Sequence, residues 1–96
     1  MEEVIYYNNL YDCYNNLLTE KQKSYFEDYY FNNLSLSEIA DNLNVSRNAA
    51  YKQIKNVVEK LIEYEDKLHL YDKKNKILDV IDDNKLKKKI EDIVNE

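Results

Sequence analysis

The sequence predicts an all-α protein, a helix-turn-helix bundle with an extended fourth helix and a C-terminal amphipathic helix. The 96 residues include neither glycine nor proline, the two residues that most often break helices. Apolar side chains recur at intervals of three and four residues in several segments, which is the spacing of a helix face. We therefore expect one helix-turn-helix domain over residues 1–71, with its motif at about residues 35–55, and a helical extension over residues 72–96.

The first two helices are predicted from an apolar stripe and a capping pattern. Thr19 and Gln22 form a capping box, in which each side chain satisfies a free backbone N–H, so the second helix begins there and runs to about Phe31. Asn33 is the expected turn residue, because asparagine tolerates a left-handed backbone. The stripe of the first helix, at about residues 3–18, consists of Val4, Tyr7, Leu10, Tyr11, Tyr14, Leu17 and Leu18.

The segment LSLSEIADNLNVSRNAAYKQIK has the arrangement of a helix-turn-helix. Ser35 and Glu38 repeat the capping box and open a short helix through Leu43, and Ser46 is a good N-cap for the next helix. Asn44 stands where such motifs usually place glycine, and it is the next-best residue for a left-handed turn. Ala40 is the small residue at the helix crossing, and the apolar positions are Ile39, Leu43, Val45, Ala50 and Ile54.

The fourth helix is predicted to run from Arg47 to about Tyr71 or Lys74, because no helix breaker interrupts that stretch. It carries a seam of residues spaced alternately by three and four. Such a seam either pairs two chains or packs on the first two helices of its own chain, and the sequence leaves both alternatives open. The seam residues are Ile54, Val57, Leu61, Tyr64, Leu68 and Tyr71.

The last helix is predicted to follow a break at residues 79–83. Its apolar positions are Leu86, Ile90, Ile93 and Val94, and its outer face holds Lys85, Lys87, Lys88 and Lys89. Runs of lysine on one face are usually solvated. Residues 72–96 are therefore expected to serve as an oligomerisation or packing element.

The charges are distributed unevenly along a chain whose formal net charge is −5. Residues 1–43 hold eight acidic residues and two lysines, net −6, and residues 61–96 hold ten acidic residues and eight lysines, net −2. Residues 44–60 hold four basic residues against Glu59 alone, net +3. Because phosphate contacts need lysine and arginine, the predicted recognition helix is the segment best suited to nucleic acid.

The candidate nucleic-acid-binding residues are Arg47, Asn48, Tyr51, Lys52 and Lys55, the outward positions of that helix. Arginine pairs with guanine and asparagine with adenine in the major groove, each worth about 1 to 3 kcal/mol of discrimination. Lys52 and Lys55 are better placed for phosphate contacts.

Catalysis is the weakest interpretation of the sequence. A chain without glycine cannot form a glycine-rich phosphate loop, and one histidine with one cysteine cannot supply a zinc cluster. We expect no catalytic residues, no metal and no cofactor, with Cys13 a buried thiol and His69 a partly packed surface residue. No apolar stretch approaches the roughly 20 residues that cross a bilayer, and the acidic amino terminus is unlike a signal peptide, so a cytoplasmic location without membrane insertion is expected.

The residues SLSEIADNLNVSRNAAYKQI resemble region four of bacterial sigma factors, which reads the promoter −35 element. Over about residues 8–71 the chain more closely resembles the YlxM family of small bacterial proteins, through the motifs LLTEKQ, YYFNNLSLSEIA, NVSR and YEDKLHL. This resemblance implies a sigma-region-four-like fold and a regulatory role. It also implies a link to the signal recognition particle, because the family's genes lie beside those for the particle's proteins.

Two functions remain open from the sequence. The first is a DNA-binding regulator that acts as a homodimer and reads two half-sites roughly 34 Å apart. The second is an accessory of the signal recognition particle that binds its protein or its RNA and has no DNA-binding role. The acidic surface of the remaining chain suits a basic partner and favours the second.

Overall fold

The structure is a computed structural model that describes residues 2–81 and 83–96 and, except for Glu2, their side chains. Its described part is helical without strands, which confirms the all-α prediction. The elements are α1 (Glu2–Tyr14), a 3-10 turn (Asn15–Leu17), α2 (Glu20–Tyr30), α3 (Leu36–Leu43), α4 (Arg47–Leu68), α5 (Leu70–Asp79) and α6 (Asn84–Val94). None of the described helices is both long and apolar enough to cross a membrane.

Three helix starts are fixed by the side chains that the sequence predicted. The Thr19 hydroxyl accepts a hydrogen bond from the Gln22 backbone N–H at 3.1 Å, and the Gln22 side chain accepts one from the Thr19 N–H at 2.9 Å. Ser35 and Glu38 form the same reciprocal pair at the start of α3. The Ser46 hydroxyl accepts from the N–H of Ala49 at 3.0 Å. Each cap contributes about 1 kcal/mol to the free energy of unfolding.

Two asparagines make the turns that glycine makes in most proteins. Asn33 lies between α2 and α3 with φ 55°, and Asn44 ends α3 with φ 56°. Both values are left-handed, a conformation that asparagine adopts at lower cost than other side-chain-bearing residues. The predictions of a left-handed turn at both residues are confirmed.

The core consists of two neighbouring clusters. The first joins α1, α2 and α4, and in it the rings of Tyr11 and Phe26 stack at 4.5 Å with an interplanar angle of 2°. The second joins α2, α3 and α4 and contains Tyr25, Ile39, Ala40, Ala50 and Ile54. The first holds Leu10, Tyr11, Tyr14, Leu18, Phe26, Val57, Val58 and Leu61. Helix α4 lines both clusters and so holds the helix-turn-helix to the rest of the chain.

Helix α1 is shorter than predicted. It ends at Tyr14, where the side-chain amide of Asn15 donates to the carbonyl oxygens of Tyr11 and Asp12 at 3.0 and 3.3 Å. These bonds satisfy carbonyls that a longer helix would have paired internally. Of the predicted stripe, Leu10, Tyr11, Tyr14 and Leu18 are buried, whereas Val4 and Leu17 are 39% and 53% exposed.

Helix α4 also ends earlier than predicted, at Leu68, and α5 continues in a new direction after His69, which has φ 57°. The buried carboxylate of Glu65 accepts hydrogen bonds from the backbone N–H groups of Tyr71 and Asp72 at 3.1 and 3.2 Å. The hydroxyl of Tyr14 accepts one from the N–H of Leu70 at 3.0 Å. Because these N–H groups lie in the first turn of α5, their side-chain partners replace the intrahelical bonds that a continuous helix would supply.

The C-terminal extension is a helical hairpin. Helix α5 packs against α1 and α4, and α6 packs against α5. Asp83 caps α6 by accepting from the N–H groups of Lys85 and Leu86 at 2.8 and 3.4 Å. The predicted break at residues 79–83 begins at the last residue of α5, Asp79, and its remaining residues lie between the two helices; its Asp82 falls outside the described residues. At the other end of α6 the Cys13 thiol, which is half-buried, donates to the Asn95 side chain at 3.7 Å.

Candidate nucleic-acid interface

The helix-turn-helix is formed by α3, the turn at Asn44 and the first turns of α4. Ala40 and Ala50 are 4% and 0% exposed, so the two helices cross through small side chains that allow their backbones to approach closely. The turn is closed by a hydrogen bond of 3.0 Å from the Val45 N–H to the Ala40 carbonyl oxygen. Leu43 departs from its predicted core position, since it is 36% exposed at the end of α3.

All five predicted binding residues lie on the exposed side of α4. Arg47 is the first residue of the helix, and Asn48, Tyr51, Lys52 and Lys55 follow on its solvent side. Tyr51 is half exposed, at 50% of its area. The opposite side of the same turns is buried through Ala50 and Ile54. Burial of that side fixes which residues α4 presents to a partner.

The surface around these residues is concave. Arg47, Asn48 and Tyr51 line a depression of about 460 Å³ together with Leu36 of α3. Tyr51 and Lys55 also line a second groove, of about 330 Å³, that continues along α4 towards Ile62. Four of the five predicted residues are thus brought together around two adjoining depressions. Lys52 is exposed on the same helix and lines neither of them.

The cations of this surface have no carboxylate partner among the described residues. The ion pairs found among the described residues join Lys23 to Glu20, Lys67 to Glu63, and Lys76 to Asp72. Arg47, Lys52 and Lys55 belong to none of them. Their charges are therefore available to an anionic ligand, and no existing pair would need to be broken on binding.

Sequence reasoning missed part of this surface. The second groove is walled by Tyr29 and Tyr30 of α2, by Leu36, and by Val58 and Ile62 of α4. Ile62 is 41% exposed and Tyr29 is 37% exposed, which makes the wall apolar and accessible. The signal in the sequence is weak: Tyr51, Lys55, Val58 and Ile62 repeat at intervals of four, three and four residues, beside the stronger seam.

The residues of the predicted seam do not form one surface. Ile54, Val57 and Leu61 are 5%, 0% and 0% exposed in the core of the chain itself, which is the self-packing alternative. Tyr64 is half-buried against α1, and its hydroxyl donates to the Leu17 carbonyl oxygen at 3.5 Å. Leu68, the last residue of α4 before the break at His69, is 44% exposed, whereas Tyr71 beyond the break is half-buried and accepts a hydrogen bond from Asn9. Pairing of two chains through the whole seam stays a prediction that would require this core to open.

Comparison with known proteins identifies relatives of the chain. The model of the UPF0122 family, described as "Putative helix-turn-helix protein, YlxM / p13 like", matches residues 1–96. A UPF0122 protein of Fusobacterium nucleatum is 52% identical over 77 residues, which cover 80% of this chain and 75% of that protein. No solved structure matches the chain significantly.

Two further relatives also carry the name UPF0122 protein. A UPF0122 protein of Shouchella clausii is 47% identical over 73 residues, which cover 76% of this chain and 67% of that protein. A UPF0122 protein of Bacillus thuringiensis is 49% identical over 73 residues, which cover 76% of this chain and 66% of that protein. The resemblance to the YlxM family that the sequence motifs indicated is confirmed by these matches.

Proposed function

Because the chain belongs to the UPF0122 family of YlxM/p13-like proteins, we propose that it is a regulatory protein of the cytoplasm that binds DNA through the first turns of α4. The observation that carries the proposal is the exposure of Arg47, Asn48, Tyr51, Lys52 and Lys55 together on α4. In a helix-turn-helix the second helix lies in the major groove, with its N-terminal residues at the base edges. Here that position belongs to α4, the helix that begins with Arg47.

The five residues divide into two roles. Arg47 and Asn48, in the first turn, would reach base edges, where arginine prefers guanine and asparagine prefers adenine. Lys52 and Lys55, further along the helix, would contact phosphate oxygens, which fixes orientation without reading sequence. Tyr51 lies between the two pairs and offers an aromatic edge for contact with a thymine methyl group.

Charge distribution supports the same surface. Residues 44–60 carry net +3, against net −6 for residues 1–43, so an approaching duplex is attracted to α4 and repelled by much of the remaining chain. The negative remainder lowers affinity for non-specific DNA. It also restricts the orientation in which the protein can approach.

The test is a fluorescence-anisotropy titration with fragments of genomic DNA, comparing the wild type with Arg47→Ala/Lys52→Ala. Both side chains are exposed, so the double variant should keep the wild-type melting temperature. We expect its DNA affinity to fall at least about tenfold, since a base contact and a phosphate contact are removed together.

The matched control is Lys60→Ala/Lys73→Ala, which removes two exposed lysines outside the proposed face. It changes the net charge of the protein by the same amount. If the control and the test variant lose equal affinity, binding depends on overall charge and the assignment of α4 fails. If neither loses affinity, DNA binding lies elsewhere.

The second candidate function is an accessory of the signal recognition particle, bound to its protein or RNA. The acidic charge of residues 1–43 favours this alternative, because such a surface suits a basic protein partner. Pull-down from lysate with and without ribonuclease tests it. Recovery of particle protein after ribonuclease treatment supports direct protein contact, and recovery of neither particle protein nor particle RNA argues against this function.

A further inference from the structure

Helix α6 carries its charges in an order that opposes its own stability. Lys85, Lys87, Lys88 and Lys89 lie in its first half, and Glu91, Asp92 and Glu96 lie in or just beyond its second half. Apart from the acidic cap Asp83, the first turn contains no acidic residue, and the last turn contains no basic residue. Because a helix has a partial positive charge at its N-terminus and a partial negative charge at its C-terminus, this order is the unfavourable one.

One exposed stripe of α6 shows the same order. Lys85, Lys89 and Asp92 follow each other at intervals of four and three residues on one side of the helix, and Glu96 continues the series two residues beyond the helix end; all four are exposed. Lys85 and Lys89 repel each other at spacing i,i+4. None of the ion pairs found in the described residues neutralises this stripe.

Beside that stripe α6 exposes apolar surface. Leu86 is 47% exposed and Ile93 is 66% exposed, and their spacing of seven residues places them on the same side of the helix. The residues that face α5, among them Ile90 and Val94, are half-buried. Helix α6 therefore packs one apolar side against the rest of the chain and leaves a second apolar side exposed. That exposed side is bordered by Lys85, Lys89, Asp92 and Glu96.

We propose that this side of α6 binds α6 of a second copy of the chain in antiparallel orientation. Antiparallel pairing about a two-fold axis places Leu86 against Ile93 of the second copy. The same axis brings Lys85 to Glu96 and Lys89 to Asp92 of the second copy, and the symmetry repeats each contact. The charge order that is unfavourable within one helix becomes complementary between two helices of opposite direction.

A second copy fits the surface better than another partner does. A nucleic acid would pair with the lysines but would be repelled by Asp92 and Glu96 on the same stripe. An unrelated basic protein would complement only Asp92 and Glu96, and an unrelated acidic protein would complement only Lys85 and Lys89. The order of charges along the stripe is complementary to the same order running in the opposite direction, as an isologous interface requires.

The test is sedimentation velocity of the full chain from about 1 µM to about 1 mM, a range that covers the weak association expected of a small interface. Two charge-reversed variants are compared with the wild type, Lys85→Glu/Lys89→Glu and Asp92→Lys/Glu96→Lys. In each variant alone, all four intermolecular charge contacts become repulsive. Self-association of each should weaken at least about tenfold, since four contacts change sign.

Mixing the two variants in equal amounts restores opposite charges at all four contacts. We expect the mixture to associate at least as tightly as the wild type, with far-UV circular dichroism showing equal helix content throughout. Lys21→Glu/Lys60→Glu is the matched control, because it reverses two exposed lysines away from α6. It should associate as the wild type does.

Three results would overturn the proposal. A wild type that stays monomeric over the whole range would exclude the interface. Variants that associate as tightly as the wild type would place any dimer contact elsewhere. A monomeric wild type whose binding to RNA or DNA is lost in Lys85→Glu/Lys89→Glu would assign the lysines to phosphate contacts instead. The proposal is independent of DNA binding by α4, since neither variant changes that helix.

Discussion

The hydroxyl of Tyr14 donates a hydrogen bond of 2.5 Å to the carboxylate of Glu65, 51 positions later in the chain. Glu65 is 8% exposed and holds two backbone N–H groups at the start of α5. The same hydroxyl accepts from the N–H of Leu70. One buried pair therefore connects α1 to the junction of α4 and α5. It also accepts the hydrogen bonds of three backbone N–H groups in the first turn of α5.

Removal of the Tyr14 hydroxyl should destabilise this junction. Tyr14→Phe leaves the Glu65 carboxylate without one donor and the Leu70 N–H without its acceptor. We expect the free energy of unfolding to fall by about 1 to 3 kcal/mol, the cost of leaving buried polar groups unpaired. Urea denaturation followed by circular dichroism measures it. Glu63→Gln is the control, because Glu63 pairs with Lys67 at an exposed site, where losing the ion pair should leave the free energy of unfolding almost unchanged.

Glu65→Gln completes a double-mutant cycle with Tyr14→Phe. The amide keeps the volume of the side chain but turns a donor towards an N–H group that needs an acceptor. The double variant should lose less than the sum of the two single losses, because both changes disrupt one network. Additive losses would mean that Tyr14 and Glu65 act independently, contrary to the geometry.

His69→Gly distinguishes a broken helix from a continuous one by the sign of its effect. At φ 57° a histidine is strained, and glycine removes that strain, so the free energy of unfolding should stay constant or rise by up to about 1 kcal/mol. In a continuous helix the same change would cost about 1 kcal/mol. Lys67→Gly, inside α4, should show that cost. Equal losses for both variants would contradict the break.

Stability should decrease in alkali. Burial, together with hydrogen bonds to Glu27 and Glu65, raises the pKa values of Tyr11 and Tyr14 above the ordinary value of 10.0. Between the ordinary and the raised pKa the folded chain keeps protons that the unfolded chain releases, so the free energy of unfolding falls as pH rises above 10. Below pH 10.0 both hydroxyls keep their protons in the folded and the unfolded chain, and their full contribution to the free energy of unfolding is present.

Urea midpoints measured from about pH 9 to about pH 11.5 give the slope of this loss. The wild type should lose stability more steeply than Tyr11→Phe, which has one raised pKa fewer. A wild-type free energy of unfolding that stays flat across this range, or equal slopes for both proteins, would contradict the burial of the hydroxyls.

Asn48→Ala should relax sequence preference without changing salt dependence, if α4 reads bases as proposed. Asparagine carries no charge, so its loss affects discrimination at one base pair, by about 1 to 3 kcal/mol. Lys55→Ala should instead weaken binding to all sequences about equally and reduce the salt slope by about one. Selection of bound fragments by sequencing, combined with anisotropy at several salt concentrations, separates the two effects. The reverse pattern would exchange the roles of the two residues.

The helix starts and turns could be predicted because their causes are local. Thr19, Ser35 and Ser46 act on N–H groups three residues away, and Asn33 and Asn44 determine their own backbone conformation. Those residues locate the helix-turn-helix and therefore the exposed side of α4. The five candidate binding residues follow from that placement.

The break at His69 could not be predicted because its cause is distant in sequence. No glycine or proline marks it, and the network that holds it needs Tyr14 of α1 to meet Glu65 of α4. The apolar period of the seam was equally ambiguous, because a spacing of three and four does not say which chain covers it. The burial of Val57 and Leu61 in the first core cluster shows that this part of the seam packs within its own chain.

The most direct test of DNA binding by α4 is the salt dependence of wild-type affinity for genomic DNA fragments, measured by anisotropy between about 50 and 200 mM salt. Phosphate contacts by Lys52 and Lys55 predict that the logarithm of affinity falls against the logarithm of salt concentration with a slope of about −2. That slope should become shallower by about one in Arg47→Ala/Lys52→Ala, because Lys52 is the phosphate contact that this variant removes. Affinity that ignores salt, absence of binding, or an unchanged slope in the double variant would contradict a DNA-binding role for this helix.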